Sequence, residues 1–225
     1  MPEITLCLML KAPRPGEVKT RLAREVGDAR AAAIYRAIVE HQVRQVPPGW
    51  RIEIHFTPRT EGAEMRGWLQ PLREGRMEFF PQAEGDLGSR MQAALTAAFD
   101  RGAGCVFFAG GDCPGLDSAV LSECAAQMDA AELVLVPALD GGYVLIGMKA
   151  AHAGVFDGIS WSTAQVLEQT RERARRLALK TALLPALEDV DDLPAWERAR
   201  ERLHIGATFA DGGASFRATI RSPTG

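Results

Sequence analysis

The sequence predicts one α/β domain, a three-layer α/β/α sandwich around a mostly parallel central sheet. Short apolar runs alternate with longer segments of helical periodicity through almost the whole chain. That alternation is typical of strand–helix–strand units, whose strands pair in parallel. A chain of 225 residues can also bury one core without disulfides or structural metals. We expect residues 1–204 to form this domain and residues 205–225 to form a tail, either disordered or carrying a small appended strand.

Each predicted strand is a short apolar or alternating run that ends in glycine, proline or polar residues. The first run, 4–10, is continuously apolar, as expected for a strand buried on both faces. The strands are predicted at residues 4–10, 50–56, 77–80, 105–109, 132–137, 143–148 and 181–187.

Helices are predicted where apolar residues recur every three or four positions. Ser162 and Gln165 have the spacing of a capping box, which predicts that the longest clear helix begins at Ser162. The helices are predicted at residues 32–46, 63–69, 87–99, 118–128, 162–177 and 194–203.

Charge and cysteine usage exclude several classes of protein. A net charge of −3 provides no basic field to attract nucleic acid or anionic lipid. The four cysteines form no C-x-x-C pair, which favours a reducing compartment over a disulfide scaffold. The first apolar run is too short to span a membrane and lacks the pattern of a signal peptide, so we expect a soluble cytoplasmic protein.

Ligands of such sheets bind beyond the carboxyl ends of the strands, so polar residues that follow strands are the candidates. The segment after the first strand contains Lys11, Arg14, Lys19 and Arg21, with Gly16 allowing close approach of the backbone. Cations and accessible N–H groups in one loop suit a polyphosphate. A solvated loop is an equally good interpretation of the charges alone, and the spacing is not that of a Walker A loop.

Asp112 follows the strand 105–109 inside the sequence Gly-Gly-Asp-Cys-Pro-Gly. A carboxylate placed there can be an oxygen ligand for Mg²⁺ or Mn²⁺, although such an aspartate can also simply hold a turn.

Three other segments are weaker candidates. Asp140, Gly141, Gly142 and Tyr143 suggest backbone close to a ligand, but Asp-Gly is also a strong hairpin signal. Trp161, Ser162 and Thr163 open a predicted helix, whose N-terminus favours an anion, although an ordinary cap explains them as well. Among Asp189, Asp191 and Asp192, the first two could reach a metal, and Asp192 is predicted to cap the last helix.

Five motifs in this order resemble a known family. They are K-x-P-x-x-G-x-V-K-T-R-L, G-D-x-P-G-L, P-A-x-D-G-G-Y-V-L-I-G, W-S-T and D-V-D-D, spread over residues 4–203. The set resembles the radical-SAM/selenodomain-associated glycosyltransferase-like proteins, within the nucleotide-diphospho-sugar transferase (GT-A) superfamily. It is also similar to the guanylyltransferases of molybdenum and deazaflavin cofactor synthesis. The sequence departs from relatives in lacking a Gly-rich opening before Lys11 and in having Pro114 where a D-x-D motif would end.

The resemblance implies roles for individual residues. It implies phosphate contacts for Lys11, Lys19 and Arg21, a metal ligand at Asp112, and an acceptor-side segment at 140–143. It also implies a second metal or acceptor contact at Asp189 or Asp191, of which we choose Asp191 as the ligand. Lys19 and Asp112 are then the candidate catalytic pair. We add Trp161 and Ser162 to the segment 140–143 as candidate acceptor-binding residues.

Two functional hypotheses remain. The first is a metal-dependent transferase that moves a sugar from an NDP-sugar, or a nucleotidyl group from an NTP, to a small-molecule acceptor. The alternative is a non-catalytic nucleotide-binding or assembly protein that keeps the fold. Retention of Lys19, Arg21 and Asp112 favours the enzyme.

Overall fold

The computed structural model describes residues 3–203, 205–206 and 219–220. Its centre is a seven-stranded sheet in the order β3-β2-β1-β4-β6-β5-β7. The strands are β1 Ile4–Lys11, β2 Arg51–Thr57, β3 Met77–Pro81, β4 Cys105–Gly110, β5 Leu133–Pro137, β6 Tyr143–Met148 and β7 Thr181–Leu183. Neighbours pair in parallel except for β6, which is antiparallel to β4 and to β5. The predicted mostly parallel sheet is therefore confirmed.

The described part of the chain also contains α-helices between the strands. They are α1 Thr20–Val26, α2 Asp28–Gln45, α3 Gly62–Leu69, α4 Leu87–Asp100, α5 Ser118–Gln127, α6 Val166–Arg176 and α7 Leu193–Leu203. Helix α1 was not predicted, because it buries one side chain, Leu22, and so shows no apolar periodicity. None of the helices in the described ranges is both long and apolar enough to cross a membrane.

The alternating side chains of the strands divide the core into two layers. Leu6, Leu8 and Leu10 of β1 share one hydrophobic cluster with side chains from α2, α3 and α5. Val106 and Phe108 of β4 face the opposite side and pack with residues of α4 and α6. Because helices cover both faces, the predicted three-layer α/β/α sandwich is confirmed.

The predicted start of the longest helix is wrong. Helix α6 begins at Val166, with Gln165 as its N-cap, rather than at Ser162. Ser162 has a φ of 62°, whereas the N-cap of a helix normally has an extended backbone. The Gln165 side chain instead accepts a hydrogen bond from Gln169 one turn along the helix, at 3.2 Å. The longest helix in the described residues is α2.

The C-terminal part of the chain closes one side of the domain. Trp196 of α7 is buried together with Leu22 of α1 and with Ile34 and Ile38 of α2. The predicted tail, 205–225, lies mostly outside the described residues. Its two described pieces are Ile205–Gly206 (β8) and Thr219–Ile220 (β9), which pair antiparallel. The boundary at residue 204 stays a prediction.

The sheet order defines one crevice for a ligand. Within the sheet, β2 and β3 lie on one side of β1, and β4, which comes later in the sequence, lies on the other side of β1. In open α/β sheets, ligands bind at such a switch point, outside the carboxyl ends of the strands. Here the crevice lies between the ends of β1 and β4, where Met9 is paired with Gly110. Lys11 ends β1, and Asp112 follows β4.

Candidate active site

A cavity of about 510 Å³ opens at the switch point. Three cationic side chains that were candidates from the sequence line it, as do two carboxylates that follow other strands. These residues are Lys11, Lys19, Arg21, Asp112 and Asp191. The fold thus brings together charged groups from three separate segments of the sequence.

Lys19 is at the centre of these charges. Its ammonium Nζ lies 2.5 Å from Asp112 Oδ1 and 3.6 Å from Asp191 Oδ1. Only 4% of the Lys19 side chain is exposed, whereas both carboxylates are about half exposed. Arg21, at the rim, lies 3.4 Å from the other oxygen of Asp191. Lys19 is therefore the buried cation of the group, and the carboxylates face the cavity.

The backbone of Lys19 explains how its side chain reaches this position. Lys19 has φ 49° and ψ 45°, a left-handed conformation, and forms the N-cap of α1. Non-glycine residues adopt this conformation infrequently, and they often do so at functional sites. The carbonyl of Lys19 accepts the hydrogen bond from Ala23 N at 2.8 Å, which begins the helix.

Asp112 is positioned by the loop that leaves β4. Gly111 packs so closely on the helical layer that a Cβ there would lie 2.7 Å from Val39 Cγ2 and 2.9 Å from Leu10 Cδ2. The carbonyl of Asp112 accepts a hydrogen bond from Val190 N at 2.9 Å. These contacts leave the Asp112 carboxylate directed at Lys19 and the cavity.

The carboxylates around the cavity repel one another. Burial raises the pKa of Asp189 to about 7, and the charges of Asp112, Asp140 and Asp191 add to the rise, while Lys19 opposes it. Such crowding of carboxylates is relieved by a bound cation, and their oxygens are the ligands that Mg²⁺ and Mn²⁺ prefer. The chemistry of this group therefore fits a divalent cation.

Tyr35 of α2 also lines the cavity and was not a candidate from the sequence. Its hydroxyl accepts a hydrogen bond from Lys11 N at 3.1 Å and lies 3.2 Å from the Lys11 carbonyl oxygen, to which it donates. Burial, together with the charge of Asp112, raises the pKa of Tyr35. In the sequence, Tyr35 is one apolar position among many on the inner face of a helix. Only the tertiary structure shows that it holds the end of β1.

Two residues of the first candidate loop do not line the cavity. Arg14 forms an ion pair with Glu61, beyond β2. Gly16, with φ 82°, lies in the turn beside Asp28, whose carboxylate oxygen is 3.6 Å from the position of a Cβ. The candidate cations therefore divide into Lys11, Lys19 and Arg21 at the cavity and Arg14 away from it.

The segment 140–143 forms the turn between the antiparallel strands β5 and β6, as the hairpin interpretation expected. Asp140 Oδ1 accepts a hydrogen bond from Gly142 N at 2.9 Å. Gly141 has φ 92°, and a Cβ there would lie 2.3 Å from the carbonyl oxygen of Ala164. The close approach that these glycines allow is thus to the chain itself. Asp140 lines a second, smaller cavity of about 300 Å³, while the hydroxyl of Tyr143 is buried.

Trp161 and Ser162 are adjacent in sequence but lie in different surroundings. Ser162 is exposed and lines the main cavity. The ring of Trp161 is packed on α4, where a Cβ on Gly88 would lie 2.9 Å from Trp161 Nε1. Ser162 is thus available to a ligand, whereas the indole of Trp161 is partly buried and packs against the core.

A second group of possible metal ligands lies elsewhere in the fold. Cys7, Glu53 and His55 place their ligand atoms within 4.8 Å of one another, and all three are buried. The Glu53 carboxylate, however, accepts hydrogen bonds from Arg101 at 2.5 and 3.1 Å, and Arg51 lies 3.5 Å away. Two guanidinium groups already compensate the carboxylate and would repel a metal cation. The group is therefore a buried ion-pair network.

The comparison with protein families decides where the chain belongs. Residues 41–163 match the family described as uncharacterized protein conserved in bacteria (DUF2064). This chain belongs to the DUF2064 family. The match includes Asp112 and the segment 140–143, whereas Lys11, Lys19 and Arg21 precede it. No curated protein matches the sequence of this DUF2064 chain.

Solved structures show the fold of this DUF2064 member. A protein from Desulfovibrio desulfuricans G20, provisionally named a nucleotide-diphospho-sugar transferase, is 33% identical with a TM-score of 0.79 and covers 85% of this chain and 84% of its own. 4-Diphosphocytidyl-2C-methyl-D-erythritol synthase from Anaerococcus prevotii DSM 20548 is 10% identical with a TM-score of 0.61, covering 90% and 96%. Rv0371c from Mycobacterium tuberculosis H37Rv, in complex with manganese, is 13% identical with a TM-score of 0.51, covering 88% and 98%.

These similarities confirm the nucleotide-diphospho-sugar transferase fold that the resemblance implied for the DUF2064 chain. The association with radical-SAM proteins, which is part of the name of the family it resembles, stays a prediction.

Proposed function

We propose that this DUF2064 protein is a metal-dependent transferase that uses a nucleotide donor and a small-molecule acceptor. The observation that carries the proposal is the convergence of Lys11, Lys19 and Arg21 on the carboxylates of Asp112 and Asp191 at the switch point of the sheet. Cations suit the phosphates of a donor, and the carboxylates would suit a divalent cation beside them. The relatives support a nucleotide donor, because their names include sugar-nucleotide and cytidylyl transferases.

Asp112 and Asp191 are the residues that would hold Mg²⁺ or Mn²⁺. When bound, such an ion supplies positive charge to the phosphate oxygens. Support comes from the pKa of Asp189, which burial and the surrounding carboxylates raise to about 7. A relative with this fold is also known in complex with manganese.

Lys19, Lys11 and Arg21 would bind the phosphate oxygens and hold the donor in line with the acceptor. Negative charge builds on the leaving phosphate as its bond breaks, and fixed cations stabilise it in the transition state. This electrostatic mechanism requires no protein nucleophile. Tyr35 contributes by holding the backbone of Lys11 at the edge of the cavity.

Two donor classes are consistent with this proposal. With an NTP, the acceptor oxygen bonds to the α-phosphorus, the bond from that phosphorus to its bridging oxygen breaks, and pyrophosphate leaves. With an NDP-sugar, the acceptor oxygen bonds to the anomeric carbon, the bond from that carbon to the β-phosphate oxygen breaks, and the nucleoside diphosphate leaves. The three cations favour the first, because pyrophosphate carries more charge. The 33% identical relative, named for sugar nucleotides, favours the second.

The acceptor side would lie at the smaller cavity of about 300 Å³, which shares Arg21 and Asp191 with the main one. Asp140, in the turn 140–143, lines this second cavity. Ser162 lines the main cavity and would meet an acceptor from the other side.

The test is a product assay with Mn²⁺, a panel of NTPs and NDP-sugars, and mixed small-molecule acceptors. Release of pyrophosphate identifies nucleotidyl transfer, and loss of the sugar nucleotide without pyrophosphate identifies glycosyl transfer. Asp112→Asn is the negative control, and Asp129→Asn, on the surface after α5, is the matched control. Silence in both assays, with nucleotide binding retained, would contradict the enzyme and favour the non-catalytic alternative.

A further inference from the structure

Lys19 occupies the space between the carboxylates that the proposed function assigns to the metal. Its Nζ lies 2.5 Å from Asp112 Oδ1 and 3.6 Å from Asp191 Oδ1. One ammonium therefore already compensates the two groups that a divalent cation would need. The same ammonium is the buried member of the cation set proposed to bind the phosphates of the donor. The Lys19 ammonium cannot pair fully with the carboxylates and bind the phosphates at the same time.

We infer that Lys19 is a built-in counter-ion whose contact with Asp112 and Asp191 competes with the divalent cation, so that metal and polyphosphate bind interdependently. The inference rests on the proposed function. Metal alone must compete with Lys19, and polyphosphate alone must compete with the two carboxylates. When both ligands are present, the two carboxylates would bind the metal and Lys19 would bind the phosphates. Each ligand then removes the contact between Lys19 and the carboxylates that opposes binding of the other.

The fold holds Lys19 in this position. The residue has a left-handed backbone at the N-cap of α1, and only 4% of its side chain is exposed. A lysine on a solvated loop would exchange its partners freely with water. Here the carboxylates are about half exposed while the ammonium between them is buried, so the contact is a fixed part of the site.

Other cations of the cavity are placed differently. Arg21 contacts Asp191 at 3.4 Å, but 78% of its side chain is exposed, so water screens this pair. Lys11 lines the same cavity from the end of β1. Removing Lys11 therefore subtracts the same charge from the cavity as removing Lys19. This makes Lys11 the matched control for a general electrostatic effect.

The first experiment measures binding of Mn²⁺ alone, from the EPR signal of the free ion, to the full-length protein and its variants. Lys19→Met is expected to bind Mn²⁺ about fivefold or more tightly than the wild type, the lower range of typical coupling between ligands. Lys11→Met is expected to change the affinity much less. Asp112→Asn is expected to lose the site.

The outcomes separate this inference from the proposed function. One possible outcome is that the wild type and the two lysine variants bind Mn²⁺ equally, and that Asp112→Asn does not bind it. This result would overturn the counter-ion role of Lys19 and support the metal site. An equal increase in Mn²⁺ affinity in both lysine variants would show that the effect is only a general loss of positive charge, and would also overturn the inference. Mn²⁺ binding that does not depend on Asp112 would overturn the metal site and the inference together.

A second experiment does not require Lys19→Met to fold. Binding of inorganic pyrophosphate is measured by calorimetry in EDTA, so that the carboxylates retain Lys19. Asp112→Asn weakens the contact between Lys19 and the carboxylates. The variant is therefore expected to bind pyrophosphate several-fold more tightly than the wild type. Asp140→Asn removes an equal charge from the adjacent cavity and is the control. No gain in Asp112→Asn, or an equal gain in Asp140→Asn, would contradict the inference.

Discussion

The backbone N–H of Val190 donates to the carbonyl oxygen of Asp112 across 2.9 Å. This hydrogen bond joins the loop after β4 to the segment that follows β7, although the two residues are far apart in sequence. Val190 itself is fully buried among residues of α1, α2 and α7. The bond therefore sets the distance between the Asp112 loop and Asp191, so that Lys19 contacts both carboxylates.

The first prediction concerns Asp112. Asp112→Asn should weaken Mn²⁺-dependent binding of a nucleoside triphosphate by about 1.5–3 kcal/mol, as expected for loss of a charged partner. Isothermal titration calorimetry with and without Mn²⁺ measures the change. Asp129→Asn should bind as the wild type does. If Asp112→Asn retains the full Mn²⁺ dependence, Asp112 is not the metal ligand.

Lys19 should recognise phosphate rather than base or ribose. With Mn²⁺ present, Lys19→Ala is expected to weaken binding of a nucleoside diphosphate by about 1.5–3 kcal/mol, because one charge-assisted hydrogen bond is lost. Binding of the corresponding nucleoside should change little. Equal weakening of both ligands would place Lys19 away from the phosphates.

Tyr35→Phe tests the residue that sequence reasoning missed. Without the hydroxyl, the N–H and carbonyl of Lys11 lose a partner, which should lower the free energy of unfolding by about 1–3 kcal/mol. Diphosphate binding at saturating Mn²⁺ should also weaken, because Lys11 is held less firmly. Lys11→Met in the Tyr35→Phe background separates the two effects. If Tyr35 acts through Lys11, the second substitution adds less to the loss of binding than it does in the wild type.

Gly111 should not tolerate a side chain. Gly111→Ala would place Cβ 2.7 Å from Val39 Cγ2 and 3.0 Å from Tyr35 Cε2, which predicts a loss of about 1–3 kcal/mol by overpacking. At Gly67 in α3, no atom beyond the neighbouring backbone of the same helix lies within 4 Å of the Cβ position, so Gly67→Ala should stabilise the helix by about 0.5–1 kcal/mol. Urea unfolding of both variants measures the contrast. A neutral Gly111→Ala would show that α2 can move away.

The buried Glu53 network predicts a dependence of stability on pH. Burial raises the pKa of Glu53, but hydrogen bonds from His55 and Arg101 outweigh it and lower the pKa to about 2. An unfolded glutamate has a pKa of about 4.3, so the unfolded state binds the proton first. The contribution of Glu53, about 3 kcal/mol, is complete above roughly pH 5 and is lost as the pH falls towards 2.

Glu53→Gln tests this by removing the titrating group. The variant should be less stable than the wild type at pH 7, because Arg51 and Arg101 lose a buried partner. The difference should shrink between pH 5 and pH 3. Urea unfolding at several pH values measures it, and a constant difference would show that Glu53 does not titrate in this range.

Much of the fold follows from local pattern. The apolar runs at β1 and β4 and the periodicity of α2 are properties of neighbouring residues, so the alternation that defines an α/β sandwich is visible in the sequence. The resemblance that the motifs show predicted one ligand site for Lys19, Arg21 and Asp112. The three residues line one cavity, and binding of a ligand there stays a prediction. Helix α6 was misplaced because a spacing of Ser and Gln cannot show that Ser162 has a left-handed backbone.

Tertiary structure decided which of the candidates meet. The sequence by itself determined the strands, the loops that contain charge and the described α-helices other than α1 and the start of α6, because these depend on neighbouring residues. It did not determine that Arg14 pairs with Glu61, that Gly141 approaches Ala164, or that Tyr35 bonds to Lys11. Those contacts depend on strand order and on the packing of α2 against the sheet. The same packing places Lys19 between Asp112 and Asp191, and distances between remote segments exist only once the sheet is assembled.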